Sequence, residues 1–510
     1  RLCTSSGALL WVAAERLAEA SLVHPHGSVE QPLVEIETTV ADADTALKEL
    51  THGRLSGLGP VTAAELAAAL DLEPLDVSQA LVALEVEGVA MRGRFTETVV
   101  TGNDAHPEWC ERGLLARIHR YTLKRLRSEI EPVTVADYQR FLFEWQGLGA
   151  HRRSGVESAE AVLSEFQGMT APAIAWEQEL LPARLEDYAP DFLDQLTAAG
   201  SFVWLHPGVR SSEGAAPRRL ARASPVALLP RQSLVHWLEI QGPAAEAPAL
   251  SGSASRVDAA LRESGALFFL EIVQSTGLLR VQAEDALAEL AAAGRVTSDS
   301  IRGLRALLTP PSRRRGFHGR ARRRGPDLDA AGRWALVTTA RAERPGSEAI
   351  EHAARSLLRR YGVICRRVLE REQHVPSWRE LARCYRSWEA RGEIRGGHFV
   401  EGLGGEQFAL DEALPVLRRI RRERDSSGWL VLAAADPLNL AGILTPGGRV
   451  AAVAGHRVLY RGGVPVASAV ARRIEWLGEL TSAEQMTARG LLQAAPRANL
   501  PAAAARRRRR

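Results

Sequence analysis

Apolar positions in this chain cluster into short helical stripes broken by glycine and proline, and one arrangement of them recurs. From Leu58, the turn Gly59-Pro60-Val61-Thr62 presents Thr62 as a helix N-cap, which predicts a helix over Ala63–Leu70. After a break at Asp71–Pro74 a second helix is predicted from Asp76 to Glu87, where Gly88 stops it. The run from Val89 to Phe95 is short and apolar and ends in an Arg-Gly-Arg turn, as the first strand and tip of a wing would. Helix, turn, helix, strand is the winged-helix order.

The same order returns at Ala266–Ser300, with helices predicted over Leu267–Ser275 and Val281–Ala293 and a strand start at Gly294-Arg295-Val296-Thr297. In a third copy Val375-Pro376-Ser377-Trp378 caps a helix through Ala382, Cys384 and Trp388, and Gly396-Gly397 is predicted as the wing tip. Pro132–Tyr138 is a further capped helix start, so four or five modules are expected. Residues Trp429–Ala467 switch to short β-type runs between Asp-Pro and Gly-Gly turns and predict a small β module. The fold class expected is therefore mainly α with small β: tandem winged helices and a small carboxy-terminal β module.

With 510 residues the chain is long enough for several domains, and no apolar run approaches the roughly 18–20 residues of a membrane span, so a soluble, cytoplasmic protein is expected. It opens on Arg1 without the charged and apolar regions of a signal peptide and is read as a piece of a longer protein. Lys48 and Lys124 are the only lysines, an arginine bias that suggests a GC-rich genome before it suggests function. The net charge of +4 hides two tracts: Arg506–Arg510 and the seven arginines of Ser312–Pro326, without which the balance is −8. Any nucleic-acid argument must then rest on local patches. Cys3, Cys110, Cys365 and Cys384 lie far apart with no CxxC, which fits reduced, structural thiols. There is no GxxxxGK[ST], HExxH or GxSxG, and His24 with His26 reads as a surface pair rather than a metal site. ATP turnover, metalloprotease chemistry and serine hydrolysis lack a site in the sequence, and no metal is expected.

One segment joins amphipathicity to charge. Leu114, Ile118, Tyr121 and Leu126 approximate one stripe of a helix, while Arg117, His119, Arg120, Lys124, Arg125 and Arg127 crowd the rest, a candidate surface for phosphates. The wording of this stretch, "LLARIHRYTLKRLRSEIEPV", resembles the Lhr (large helicase-related) family of DNA-repair helicases. So do "WVAAERL" at Trp11–Leu17, "GRLSGLGPVTAAELA" at Gly53–Ala67 and "FQGMTAPAIAWEQELLPARL" at Phe166–Leu185. "GEQFAL" at Gly405–Leu410 and "DPLNLAGILTPGGRV" at Asp436–Val450 complete a resemblance covering roughly residues 8–470 in family order.

The resemblance implies a bacterial protein whose upstream RecA-like domains, absent here, would bind ATP and Mg and drive 3′-to-5′ translocation. The carboxy-terminal part would be built of tandem winged helices plus a carboxy-terminal β-barrel-like module, hold single-stranded DNA, a duplex or an RNA:DNA hybrid, and form a homo-oligomer, by family a tetramer. It is also similar in layout to AlkZ-type DNA glycosylases, which makes a metal-independent base-excision glycosylase acting on an alkylated base or uracil the alternative. In that family a Gln-x-Gln or Gln-x-Asp motif serves the sugar carbon. Here Gln167 matches, as a catalytic candidate or a buried structural amide, and Met169 departs from the pattern because it cannot orient water or balance positive charge. Glu165 and Glu177 are neighbouring carboxylates, and Trp176 is either a base-stacking platform or core. The domain expectation is a first winged helix over 1–105, a domain with the cationic helix over 106–206, a further winged-helix region over 207–309, a basic linker over 310–332, a winged helix over 333–425, the β module over 426–475, and a helical then Ala/Arg-rich tail over 476–510.

Overall fold

A computed structural model describes residues 1–30, 42–96, 107–128, 130–207, 219–242, 250–309, 328–337, 344–423, 428–471 and 473–494. The basic tract 312–326 and the tail 500–510 lie outside the described residues. The chain divides into two compact units, residues 1–129 and 130–510.

The first unit opens with a three-stranded sheet of two-residue strands and a short helix, Leu17–Val23. A winged helix follows. Its helices are Ala43–Leu55, Ala63–Leu70 and Pro74–Val86, closing on Leu55, Leu66, Val77, Leu81, Leu84 and Trp109. Thr62 and Glu65 form a reciprocal capping box at the start of the second helix, the local reason that the chain turns there.

The second unit holds three more copies. In all four the first short strand and the second strand flank the third, antiparallel throughout. The sets, with the central strand last, are Val61–Thr62, Ala90–Gly93 and Glu108–Glu111; Ala171–Pro172, Phe202–Leu205 and Pro225–Pro230; Leu267–Phe268, Val296–Ser298 and Arg333–Leu336; Val363–Cys365, Arg395–Gly397 and Gln407–Ala409. The third strand is reached only after the wing loop, so it sits well downstream of its partners. For that reason the expected boundaries at 105/106, 206/207 and 332/333 each fall one strand too early. The cationic helix likewise groups with the first unit.

In the fourth copy Gly396-Gly397 is strand, paired with Phe408 and Gln407, not the wing tip expected for it. Buried Gln407 explains the hairpin. Its amide oxygen accepts from the backbone N–H of Phe399 and Val400 and its NH2 donates to the carbonyls of Val400 and Leu403, so one side chain satisfies four groups and moves the turn out to 401–405.

The β module is an open four-stranded meander, Trp429–Ala433, Arg457–Arg461, Val464–Val470 and Arg473–Trp476, not a closed barrel. Alternation gives the reason. Leu430, Leu432, Val458 and Tyr460 join the large core shared with the helix Val135–Trp145, while Trp429, Val431, Leu459 and Ala467 pack under the helix Ser482–Gln493. Both faces are covered, so the sheet need not curl on itself to bury them. Among the described residues no helix is long and apolar enough to cross a membrane, all four cysteines are free thiols, and no cluster of three metal-ligating side chains occurs. His24 bonds the Leu70 carbonyl at 3.1 Å.

Candidate nucleic-acid interface

Four copies of one topology differ in what their third helix shows to solvent. In the first copy Leu75, Gln79, Val82 and Val86 are exposed at helical spacing among Asp76, Glu85 and Glu87, and no cation lies on the helix. In the second, Pro190–Ala198, the exposed positions include Pro190, Asp191 and Gln195. In the third, Arg280–Ala292, only Arg280 is basic, and it is paired with Asp329 at 3.0 Å. The fourth is different in kind. Trp378–Ala390 exposes Arg379, Arg383 and Arg386, four and three residues apart and so on one face, while Leu381, Tyr385 and Trp388 hold the other face in the core. Arg386 is held by Glu406 at 2.6 Å; Arg379 and Arg383 make no ion pair among the described residues. A row of guanidinium groups on the third helix of a winged helix is placed to meet phosphates and base edges.

The helix predicted to carry cations is real and runs from Arg112 to Ser128, about 25 Å long. None of its residues is buried: Leu114 and Leu126 are half-covered, Ile118 and Tyr121 are 38% and 69% exposed. Arg117, His119, Arg120, Lys124, Arg125 and Arg127 are all exposed on it. Glu111 accepts the backbone N–H groups of Gly113 and Leu114, a carboxylate at the helix start that fixes where it begins and lowers that acid's pKa through those bonds.

The glycosylase candidates fall elsewhere. Gln167 is 7% exposed at the end of the helix Val156–Glu165, and its side-chain oxygen accepts from Trp237 Nε1 at 3.4 Å and meets His352 Nε2 at 2.9 Å. His352 stacks on His236 with ring centres 4.8 Å apart, and burial, then the neighbouring imidazole, holds it below the ordinary histidine pKa. Gly168 sits at φ +85° against Trp237, whose ring a Cβ would overlap. Met169 is buried core. Trp176 cannot stack on a base: it is 1% exposed, inside the largest core, and its Nε1 donates to the Val226 carbonyl at 2.9 Å. Glu177 is taken by Arg305 and Tyr188, and Glu165 by Arg153, so neither carboxylate reaches Gln167 through a bond of its own. His236 and His352 come from segments 69 and 185 residues downstream of Gln167, a juxtaposition no local pattern signals.

Four copies of one helix-and-wing topology make this a tandem winged-helix protein. Residues 133–231 and 343–429 each match a family model described as "Large helicase-related protein, winged-helix domain", the third and fourth of that family. The chain is 29% identical over 459 residues, 86% of its length, to "Lhr helicase/ probable uracil glycosylase" of Mycolicibacterium smegmatis. It is 28% identical over 449 residues, 78% of its length, to "Lhr helicase/uracil glycosylase" of Escherichia coli. It spans 29% and 27% of those proteins. Over most of its length the chain is thus similar to the winged-helix region of Lhr proteins.

Proposed function

We propose that this region holds single-stranded DNA for an Lhr-type helicase of DNA repair, whose ATP- and Mg-dependent 3′-to-5′ motor lies in RecA-like domains outside the chain. The observation that carries it is the arginine face Arg379–Arg383–Arg386 on the one third helix among four that is built with several cations. The exposed cationic helix Arg112–Ser128 adds a second phosphate-contacting surface. Duplex or hybrid ends are further substrates of the whole assembly, and the region works as a homo-oligomer in the cytoplasm. Charge reversal at Arg379 and Arg383 together tests the reading: single-strand affinity is expected to drop about tenfold or more at moderate salt, with a shallower salt dependence. Unchanged affinity in a folded variant would remove the fourth winged helix from the DNA path.

A second reading has its own support. Both relatives carry a glycosylase in their names, and Gln167 lies against His352 and Trp237 rather than in plain core. On this reading the chain releases uracil or an alkylated base without metal or ATP, with Gln167 at the sugar. Incubation with uracil-bearing single-stranded DNA followed by alkali checks it, and abasic-site formation that survives Gln167→Ala would separate the activity from this residue.

A further inference from the structure

A cleft of about 220 Å³ opens between the helix Val135–Trp145, the helix Ala413–Arg422 and the first strand of the meander. Two aromatic side chains line it, Phe143 and Trp429, together with the donors Arg140 and His151 and the acceptors Glu144 and Glu423. Phe143 is fixed edge-on to Tyr460 at 5.2 Å, and Trp429 has the Arg461 guanidinium 5.2 Å from its ring centre. Drug-sized ligands need pockets of about 300 Å³ and upward, so this one suits a single planar heterocycle.

Glu423 also borders a shallow groove on the next turn of helix, lined by Arg418, Arg419 and Arg422. The charges there are already sorted. Arg419 is held by both Glu144 and Glu423, and Arg140 by Asp137 and Glu423, which commits those carboxylates to the wall. Arg418 and Arg422, one helical turn apart on the exposed face, make no ion pair among the described residues. An aromatic cleft with both donors and acceptors, opening beside two uncommitted guanidinium groups, has the chemistry of a nucleotide: a π-face, a hydrogen-bonding edge and a phosphate.

We propose that this cleft takes one nucleotide of a bound single strand, the base against Trp429 and its phosphate on Arg418 and Arg422. The inference rests on the DNA-binding reading above but not on the residues that carry it. Stacking makes the site tolerant of base identity.

The test uses the full chain and a twelve-residue oligothymidylate with one central 2-aminopurine, alongside thymidine 5′-monophosphate alone. Binding is expected to quench the 2-aminopurine. Arg418→Glu with Arg422→Glu, both exposed, is expected to weaken the oligonucleotide about tenfold. Trp429→Leu is expected to keep most of the affinity and lose the quench; should that variant misfold, His151→Ala on its exposed turn is expected to reduce the quench instead. Wild-type affinity and quench in the arginine and cleft variants, with binding lost in Arg379→Glu/Arg383→Glu, would overturn the cleft and leave the proposed function standing. If the unaltered chain binds no oligonucleotide, the proposed function falls, and the cleft is judged by the monophosphate alone: a shifted Trp429 indole resonance, absent in Arg418→Glu/Arg422→Glu, supports it, and an unmoved one overturns it.

Discussion

Arg184 and Asp436 lie 252 residues apart in sequence and meet as a two-pronged ion pair, at 2.7 and 3.0 Å, with side chains 0% and 1% exposed. The pair joins the second winged helix to the loop that follows the first strand of the β meander. Gln146 adds its side-chain oxygen to the guanidinium at 2.6 Å and donates its amide to the Arg360 carbonyl, and the Phe166 ring lies 4.5 Å from the guanidinium carbon. Asp436 further accepts the Leu438 N–H, and Arg371 donates to its backbone carbonyl. A cation and an anion taken wholly out of water hold a unique geometry only while both are present.

Asp436→Asn should therefore destabilise the second unit by about 3–5 kcal/mol, because it leaves the Arg184 charge buried without its counter-ion. Arg184→Met combined with Asp436→Leu removes both charges and should cost less than the single change. Thermal unfolding with limited proteolysis of the three proteins checks the order; a single variant as stable as the parent would mean that water reaches the pair.

Alanine at Arg117, Arg120 and Lys124, which share one face of the exposed helix, should leave the melting temperature within a degree or so, since no residue of this helix is buried. The plot of log affinity for single-stranded DNA against log salt should flatten by about 2, at roughly 0.7 per lost phosphate contact. Fluorescence anisotropy at four or five salt concentrations measures it, and an unaltered slope would take the helix out of the DNA path.

What the sequence revealed follows the range of its signals. Thr62 with Glu65, and Ser377 with Glu380, are capping boxes written within four residues, and the helices they begin were legible. The cationic helix was legible because its whole pattern is local. The closing strand of each winged helix was not, because three to six residues after a wing loop carry no period of their own, and the expected boundaries missed it in the first three copies. Gly396-Gly397 read as a turn from glycine content, yet the buried amide of Gln407 decides the hairpin from ten residues away. Trp176 had no local mark to distinguish stacking from core. The arginines at 379, 383 and 386 were in plain view, but only burial of Leu381, Tyr385 and Trp388 shows which way they face.

Gly168→Ala should disturb the Gln167 corner without touching a charge. The backbone there is left-handed and the added Cβ would overlap the Trp237 ring, so the indole must move and its bond to Gln167 is lost. A loss of about 1–3 kcal/mol is expected, with a changed tryptophan emission spectrum. On the glycosylase reading, base release should fall more in this variant than DNA affinity does; equal losses would assign the corner a purely structural role.

Acid should weaken the second unit through His206. This imidazole, 3% exposed beside the second winged helix's strand Phe202–Leu205, is pushed down to about 4 by burial alone, against 6.5 in the unfolded chain. Between those values the unfolded state binds a proton that the folded state refuses, so stability is full above about pH 6.5 and declines as pH falls toward 4. The decline is on the order of 3 kcal/mol for this one group. His352, lowered for the same reason and by His236 beside it, acts in the same direction. Paired carboxylates also lose stability in acid, so the informative quantity is the difference between the parent and His206→Gln across pH 4 to 7. That difference should shrink as the pH is lowered, because the variant has no imidazole to protonate, and a difference constant with pH would show that His206 stays solvated in the fold.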